Sequence, residues 1–134
     1  MSVDGLTIVS SQFDPVTTMN RLVAAVEKRG IGILARIDHA GAAQKAGLTL
    51  RPTELLIFGN PKVGTALMQA GQTAGIDLPL KALVWSDAGG KTWLAYDNPA
   101  WIAGRHGITG VDDTVKALTA GLAALAKEAT ESEG

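Results

Sequence analysis

Apolar side chains are spaced along this chain in two ways, and each spacing predicts one type of secondary structure. Spacings of three and four residues indicate helices, whereas alternation with polar residues indicates strands. Asp14-Pro15 and Asn60-Pro61 mark two helix starts, because Asp and Asn cap helices and proline fits the first helical position. The predicted elements are, in chain order, a strand at 6–9, a helix at 14–30, a strand at 31–38, a short helix at 40–46, a strand at 54–58, a helix at 60–70, a hairpin of strands at 82–86 and 92–96, a short helix at 97–107 and a final helix from 111.

This order of elements predicts an α+β fold. We expect a two-layer sandwich with a mixed β-sheet of about five strands and helices packed mainly on one face. Residues 1–107 form the predicted core, and residues 108–134 add an amphipathic helix and a short tail to the same domain. The stripe on that helix either covers the core or pairs with a second copy of the chain. The polar residues 130–134 are expected to fray.

Composition excludes several classes of function. With 134 residues, 46% of them hydrophobic, the chain has the size and composition of one globular domain. A formal net charge of −1 without a basic stripe predicts no nucleic-acid partner. There is no cysteine, which excludes disulfides and thiolate ligands. No signal peptide is apparent and no apolar run approaches the roughly 20 residues that cross a bilayer, so the sequence predicts a soluble cytoplasmic protein with no membrane partner.

Asp38-His39 is the first candidate site, since it follows the end of a predicted strand. A carboxylate beside an imidazole can orient the ring and raise its basicity, as a general base requires. The alternative is that Asp38 or His39 caps the short helix that follows. His106 lies at a predicted helix end, where a structural role is expected. Because His39 and His106 show no metal-ligand spacing, no metal site and no cofactor are predicted.

The second candidate site is the helix start at Asn60. The first turn of a helix has free N–H groups and a partial positive charge, and Lys62 and Thr65 would add a charge and a hydroxyl there, which suits a carboxylate or phosphate. The alternative is a plain Asn cap. Arg51 and Glu54 bracket the start of the preceding strand, where they form either an exposed ion pair or part of a site.

Longer motifs resemble a known family. Arg36-Ile37-Asp38-His39-Ala40 and the stretch from Leu50 to Thr65 are similar to the family called domain of unknown function 302, and Ile76–Ala82 and Tyr96–Pro99 continue the similarity. It extends over about residues 6–107 and leaves the last helix outside. The resemblance implies a compact two-layer α+β fold with a mixed sheet, often crystallised as a dimer. It implies no activity, because the family has no established one.

Three functions fit these observations. The leading hypothesis is a binding domain for a small polar or anionic molecule, held in one pocket at the strand ends. The pocket would be lined by Asp38, His39, Arg51, Glu54, Asn60, Lys62 and Thr65. The second is a hydrolase or proton-transfer enzyme in which His39 is the base and Asp38 its orienting carboxylate. The third is a homodimerisation domain that uses the hairpin, with Trp85 and Trp93, or the last helix.

Overall fold

A computed structural model describes residues 1–132 of the chain. Its elements are β1 (Leu6–Ser10), α1 (Pro15–Lys28), β2 (Gly32–Asp38), α2 (His39–Lys45), β3 (Thr53–Gly59), α3 (Pro61–Ala70), a 3-10 helix (Gln72–Ile76), β4 (Leu80–Ser86), β5 (Thr92–Asp97), α4 (Pro99–Arg105) and α5 (Asp112–Thr130). The predicted order of elements is thus confirmed, and the 3-10 helix is an addition to it.

The five strands form one sheet in the order β1-β5-β4-β3-β2. The α+β class and the number of strands are confirmed. The prediction of a mixed sheet needs correction, because every neighbouring pair is antiparallel. Two strands that are joined by a crossover helix form a parallel pair only when they lie next to each other in the sheet. The crossover through α1 instead joins β1 and β2 at opposite edges, and three antiparallel strands lie between them.

The hydrophobic core lies between one face of the sheet and the pair of helices α1 and α5, which pack against each other. The helices contribute Met19, Leu22, Val26, Leu122, Leu125, Ala126 and Ala129, and the strands contribute Leu56, Phe58, Ala82, Val84, Leu94 and Tyr96. The strand residues of this set alternate along each strand, as expected when one face of a sheet is covered. Of the two roles predicted for the last helix, the structure shows that it covers the core.

The edge strand β2 departs from the predicted alternation. A β-bulge lies between Ile33 and Ala35, and beyond it Arg36 pairs with the core residue Leu56. An extra residue in one strand reverses which side chains face each side of the sheet. Arg36 and Asp38 therefore point to the helix side, whereas Ala35 and Ile37 point to the other side. The helix side stays polar here because α1 has only just begun at this end of the sheet.

The end of α5 is fixed to the rest of the domain rather than frayed at Thr130. Thr130 is buried, and its carbonyl accepts a hydrogen bond from the Gln12 N–H at 2.8 Å. The Arg21 guanidinium donates to the carbonyl of Glu131 at 2.8 Å. Composition alone suggested a loose tail, but these long-range contacts order it as far as the described residues extend. Glu133 and Gly134 lie outside the described residues.

Candidate functional site

The residues predicted to share one pocket separate into two groups at opposite ends of β3. Asp38 pairs with Glu54 at the start of this strand, whereas Asn60 and Lys62 follow its end. At about 3.4 Å per residue, the strand separates Glu54 from Gly59 by about 17 Å. One small-molecule pocket therefore does not include both groups, and the expectation of a single site needs correction. Both groups lie at the ends of predicted strands, but the sequence does not give the direction of those strands.

At the start of β3, a surface cleft of about 600 Å³ includes Arg36, Asp38 and Glu54 in its lining. Arg36 donates to both carboxylate oxygens of Glu54 at 2.7 and 3.0 Å and to the side-chain oxygen of Asn20 at 3.1 Å. The hydrogen bond and the charge of Glu54 raise the pKa of Arg36, despite partial desolvation. These charged groups are already paired with each other, so the cleft presents few free polar groups to a ligand.

Asp38 and His39 do not interact in the described residues. The Asp38 carboxylate is the N-cap of α2 and accepts a hydrogen bond from the Gly41 N–H at 2.9 Å. His39 is the first residue of α2, and its side chain is exposed and lies outside the cleft lining. Arg51 is likewise exposed outside the lining. The geometry is that of a helix cap, which was the alternative to a general-base pair.

At the other end of β3, Asn60 occupies the N–H groups that an anion would need. Its side chain accepts from the Lys62 N–H at 2.9 Å, and its carbonyl accepts from the Val63 and Gly64 N–H groups at 3.1 Å. Pro61 has no N–H. The N–H donors at the start of α3 are therefore already engaged in hydrogen bonds within the chain. Lys62 is exposed and does not line the neighbouring cavity.

That neighbouring cavity, of about 590 Å³, lies between α3, α5 and the ends of β3 and β4. We call it the α3–α5 cavity. Its walls include the buried side chains of Phe58, Leu67, Leu122 and Leu125, together with half-buried apolar residues of both helices. Such a volume is in the usual range for sites of small organic ligands, which are mostly apolar with a few polar groups. It includes two of the predicted site residues, Asn60 and Thr65.

Polar groups are few in the α3–α5 cavity. Thr65 on α3 and Thr114 on α5 bring hydroxyl groups to its lining, and Arg29 brings a guanidinium. Arg29 forms an ion pair with Glu128 and also donates to the carbonyl of Ala25 at 3.0 Å. Hydrogen bonds from Lys28 and Arg29 lower the pKa of Glu128. The cavity thus combines an apolar interior with hydroxyl groups and one partly engaged cation.

A third polar cluster, at the end of α4, is not predicted by the sequence. His106 caps the end of α4; its Nε2 lies 2.5 Å from the Asp77 carboxylate and its Nδ1 lies 2.8 Å from the Thr73 hydroxyl. Arg105 donates to the two oxygens of Asp77 at 2.8 and 2.9 Å. The structural role expected for His106 at a helix end agrees with this position. Asp77 lies in a recognised motif, Ile76–Ala82, but nothing in the sequence paired it with a residue 29 positions away.

The charges in this cluster fix its hydrogen-bond directions. Burial favours the neutral form of Asp77, but the hydrogen bond from His106 and the charge of Arg105 together lower its pKa. An ionised carboxylate only accepts, so His106 Nε2 donates to it and, in the neutral ring, Nδ1 accepts from the Thr73 hydroxyl. The contacts run from the Thr73 hydroxyl to the His106 imidazole to the Asp77 carboxylate, which is the order of groups in a nucleophilic triad. However, none of the three residues lines either described cavity, so the cluster ties the 3-10 helix to α4.

Comparison with known proteins gives relatives of two kinds. The chain is 44% identical over 126 residues to a protein of Brucella suis biovar 1 (strain 1330) named "Fluoride-specific ion channel FluC 1", covering 93% of this chain and 50% of the relative. A Brucella melitensis protein named "Fluoride-specific ion channel FluC 2" is equally similar, with 47% of its length covered. The chain thus spans about half the length of these curated relatives. Within residues 1–132, none of the helices combines the length and hydropathy that crossing a membrane requires.

The fold itself has a solved counterpart. The crystal structure of an uncharacterised conserved DUF302 protein from Bacillus stearothermophilus superposes with a TM-score of 0.83 at 20% identity, and the match covers 95% of this chain and 99% of that one. At this identity the likeness concerns the fold alone. The family model "Domain of unknown function DUF302" matches residues 7–125, which include most of α5. The extent predicted from the sequence, about residues 6–107, needs correction, because the family model also includes most of the last helix. The resemblance itself is confirmed, and the chain belongs to the DUF302 family.

Proposed function

We propose that this chain is a binding domain for a small molecule and that the ligand occupies the α3–α5 cavity. The single observation that supports this most is the cavity itself, about 590 Å³ between two helices and the ends of two central strands. The cavity is open to solvent, so its apolar walls are in contact with water. A ligand that covers these walls removes apolar surface from water, which is favourable.

The lining indicates the chemistry of the ligand. Most of the wall is apolar, which suits a compact hydrocarbon or aromatic body. Thr65 and Thr114 provide hydroxyl groups, and Arg29 is a cation in the same lining. Arg29 pairs with Glu128, which lies about 21 Å along α5 from Thr114, so the cation and this hydroxyl group are at opposite ends of the cavity. A carboxylate or sulfonate at one end of such a body would interact with Arg29, while the hydroxyl group of Thr114 is left for a polar group at the other end. The ligand class is therefore amphipathic, rather than the purely polar or anionic molecule expected from the sequence.

Gly64→Leu is the substitution that tests this site. A Cβ added at Gly64 would lie 3.9 Å from Met68 and 4.0 Å from Leu78, at ordinary contact distance, and both side chains line the cavity. A leucine there extends into the cavity without a backbone clash. Gly104→Leu on α4 is the matched control, because it makes the same change in a helix with open space around its Cβ and outside the cavity.

The probe is anilinonaphthalene sulfonate, which combines aromatic rings with one anionic group. We expect the wild-type chain and Gly104→Leu to bind it equally, and Gly64→Leu to bind at least about tenfold more weakly, a loss of about 1.4 kcal/mol. Native mass spectrometry of the chain purified from its source should also show a small bound molecule in the wild type. Equal probe binding by both variants would contradict the proposed site.

A second function is favoured by the named relatives. Because 126 residues of this chain match about half of a protein called a fluoride-specific ion channel, we propose that the domain acts as an accessory module beside such a channel. Its test is fluoride efflux from vesicles that contain the Brucella suis relative, either whole or without the matching segment. Addition of this chain to the shortened protein should restore the efflux of the whole protein. Identical efflux in all three cases would refute this role.

A further inference from the structure

The α3–α5 cavity is elongated along one face of α5. That face contributes residues at spacings of three and four, which lie above one another on a helix. They are Thr114, Ala117, Leu118, Gly121, Leu122 and Leu125. From Thr114 to Leu125 the helix rises about 16 Å, so the cavity is at least that long. The volume of about 590 Å³ over this length gives a mean width of about 6 Å. Because apolar carbons in contact lie about 4 Å apart, one hydrocarbon chain fits this width and two side by side do not.

Apolar surface inside the cavity is exposed to water. The Leu34 side chain lines the cavity and is 61% exposed, and Ala117 on α5 is exposed as well. Gly121 lies between the two ends of the α5 face, and no other part of the described chain is within 4 Å of a Cβ added there. The middle of the cavity is therefore unobstructed. A hydrocarbon chain that lies along it would remove apolar surface from water, which is favourable.

One end of the cavity has excess positive charge. Arg29 lines this end and forms an ion pair with Glu128, which also accepts a hydrogen bond from Lys28 at 3.1 Å. Two cations thus share one carboxylate. A guanidinium has five N–H donors, and among the described residues Glu128 and the carbonyl of Ala25 each take one of those on Arg29. The Arg29 side chain is 32% exposed, so its other donors can reach a ligand carboxylate, which a guanidinium binds through charge-assisted hydrogen bonds.

The other end of the cavity is acidic. Thr114 lies there, in the first turn of α5, where Asp112 and Asp113 precede it. Lys116, one turn further along, offsets only one of these two carboxylates. From Thr114 to the level of Glu128, α5 rises about 21 Å. An elongated anion in the cavity is therefore attracted at the Arg29 end and repelled at the Thr114 end, which gives it one direction.

We propose that the ligand of the α3–α5 cavity is a straight-chain carboxylic acid, with its carboxylate at Arg29 and its hydrocarbon chain extended along α5 towards Thr114. This inference rests on the function proposed above and adds the shape and direction of the ligand. An extended hydrocarbon chain advances about 1.25 Å per carbon, since its C–C bonds are about 1.5 Å long. A cavity of about 16–21 Å therefore accommodates a hydrocarbon chain of about 13 to 17 carbons.

Chain length is the first quantity to measure. Equilibrium dialysis of the 134-residue protein is carried out with saturated carboxylates, from octanoate to octadecanoate, at concentrations below micelle formation. A fully buried CH₂ group tightens binding about fourfold, and in a cavity that is open to solvent we expect about twofold for each one. The gain should stop between about 14 and about 17 carbons, because the end of a longer hydrocarbon chain leaves the cavity beyond Thr114.

Gly121→Leu tests where the hydrocarbon chain lies. The space around this position is open and leucine favours a helix over glycine, so the variant should fold. Gly121 lies about 10 Å along α5 from Glu128, which leaves room for about 8 carbons. We expect tetradecanoate to bind at least about tenfold more weakly and octanoate to bind as in the wild type. Ala123→Leu is the matched control, because Ala123 is exposed on the same helix and lies outside the cavity lining.

Arg29→Gln tests the direction of the ligand. The wild type should bind tetradecanoate about tenfold more tightly than its methyl ester, which has the same hydrocarbon chain without the charge. Arg29→Gln should remove this preference for the acid. Arg21→Gln should keep it, because Arg21 donates to the carbonyls of Glu128 and Glu131 but does not line the cavity. Circular dichroism of each variant shows that it is folded.

Three results would overturn the proposal: equal affinity of the wild type for octanoate and tetradecanoate, an unchanged chain-length profile in Gly121→Leu, or a preference for the acid that persists in Arg29→Gln. Failure of the proposed function is a different result. If Gly64→Leu weakens binding of anilinonaphthalene sulfonate while chain length has no effect, the cavity binds ligands of another shape. If Gly64→Leu weakens neither this probe nor tetradecanoate, the proposed site itself is wrong.

Discussion

Asp77→Asn tests how strongly the cluster at the end of α4 stabilises the fold. The Asp77 side chain is 12% exposed and accepts hydrogen bonds from His106 and Arg105. Asparagine keeps the shape but removes the charge, and one of its two polar ends becomes a donor facing other donors. A hydrogen bond to a charged group contributes about 1.5–3 kcal/mol. Because Arg105 is 49% exposed, its share is screened by water, and we expect a total loss of about 2 kcal/mol.

This loss corresponds to a decrease in Tm of about 7 °C for a chain of this length, from the usual entropy of unfolding per residue. Urea unfolding at about pH 7, followed by tryptophan fluorescence, gives the free energy directly. Asp4→Asn is the control, because Asp4 is an exposed carboxylate near the same end of the sheet. We expect no measurable change in that variant. A loss below about 0.5 kcal/mol for Asp77→Asn would show that the cluster is not a stabilising network.

The pH dependence of the free energy of unfolding is a second measurement that tests the role of Asp77. The folded-state pKa of Asp77 is lowered below its ordinary value of 3.8. Its contribution is therefore complete above that value and is lost as the pH falls through the folded-state pKa. Asparagine does not titrate, so the difference in free energy of unfolding between the wild type and Asp77→Asn should shrink below about pH 4. A difference that stays constant down to about pH 2 would refute the role of the charge.

Three further predictions follow from single features of the fold. Gly5→Ala should cost about 2–4 kcal/mol in urea unfolding, because Gly5 has a φ of +80° and its new Cβ would lie 2.5 Å from the Trp101 ring. Asp38→Asn should leave stability unchanged, whereas Asp38→Ala should cost about 1 kcal/mol, since asparagine replaces aspartate as a helix cap; a stability loss in both variants would argue against the cap. Amides of α3 should exchange hydrogen faster than those of α1, because only Leu67 of α3 is buried, and the ANS probe should slow that exchange.

Local signals explain why the order of elements was predictable. Asp14 and Asn60 accept hydrogen bonds from the first turns of α1 and α3, as their capping chemistry predicts. The direction of the strands was not predictable in this way. It depends on which edge of the sheet each strand joins, and β5 inserts between β4 and β1 through pairings more than 80 residues apart. No short pattern in the sequence records such a pairing.

The candidate site likewise has features that the sequence predicts and features that it does not. The polar residues at both ends of β3 were found, because polar side chains at the ends of an apolar strand are visible in the sequence. The role of these residues was not predictable, because a helix cap and a ligand site need the same residue types. The Asn60 side chain and carbonyl accept hydrogen bonds from three N–H groups, which only the three-dimensional structure shows. The α3–α5 cavity was also not predictable, since it is an open space lined mostly by apolar residues of the kind that the sequence assigns to a core.

Antiparallel topology is the reason that this cavity exists. A crossover between parallel neighbours must lay its helix across the sheet, where the helix fills the layer above the strands. β3 and β4 are antiparallel neighbours, so the segment between them can leave and return at the same end of the sheet. α3 accordingly packs mainly on the 3-10 helix rather than on the strands, while α5 covers the core. The space between a helix that belongs to the core and one that does not is the site that we propose for the ligand.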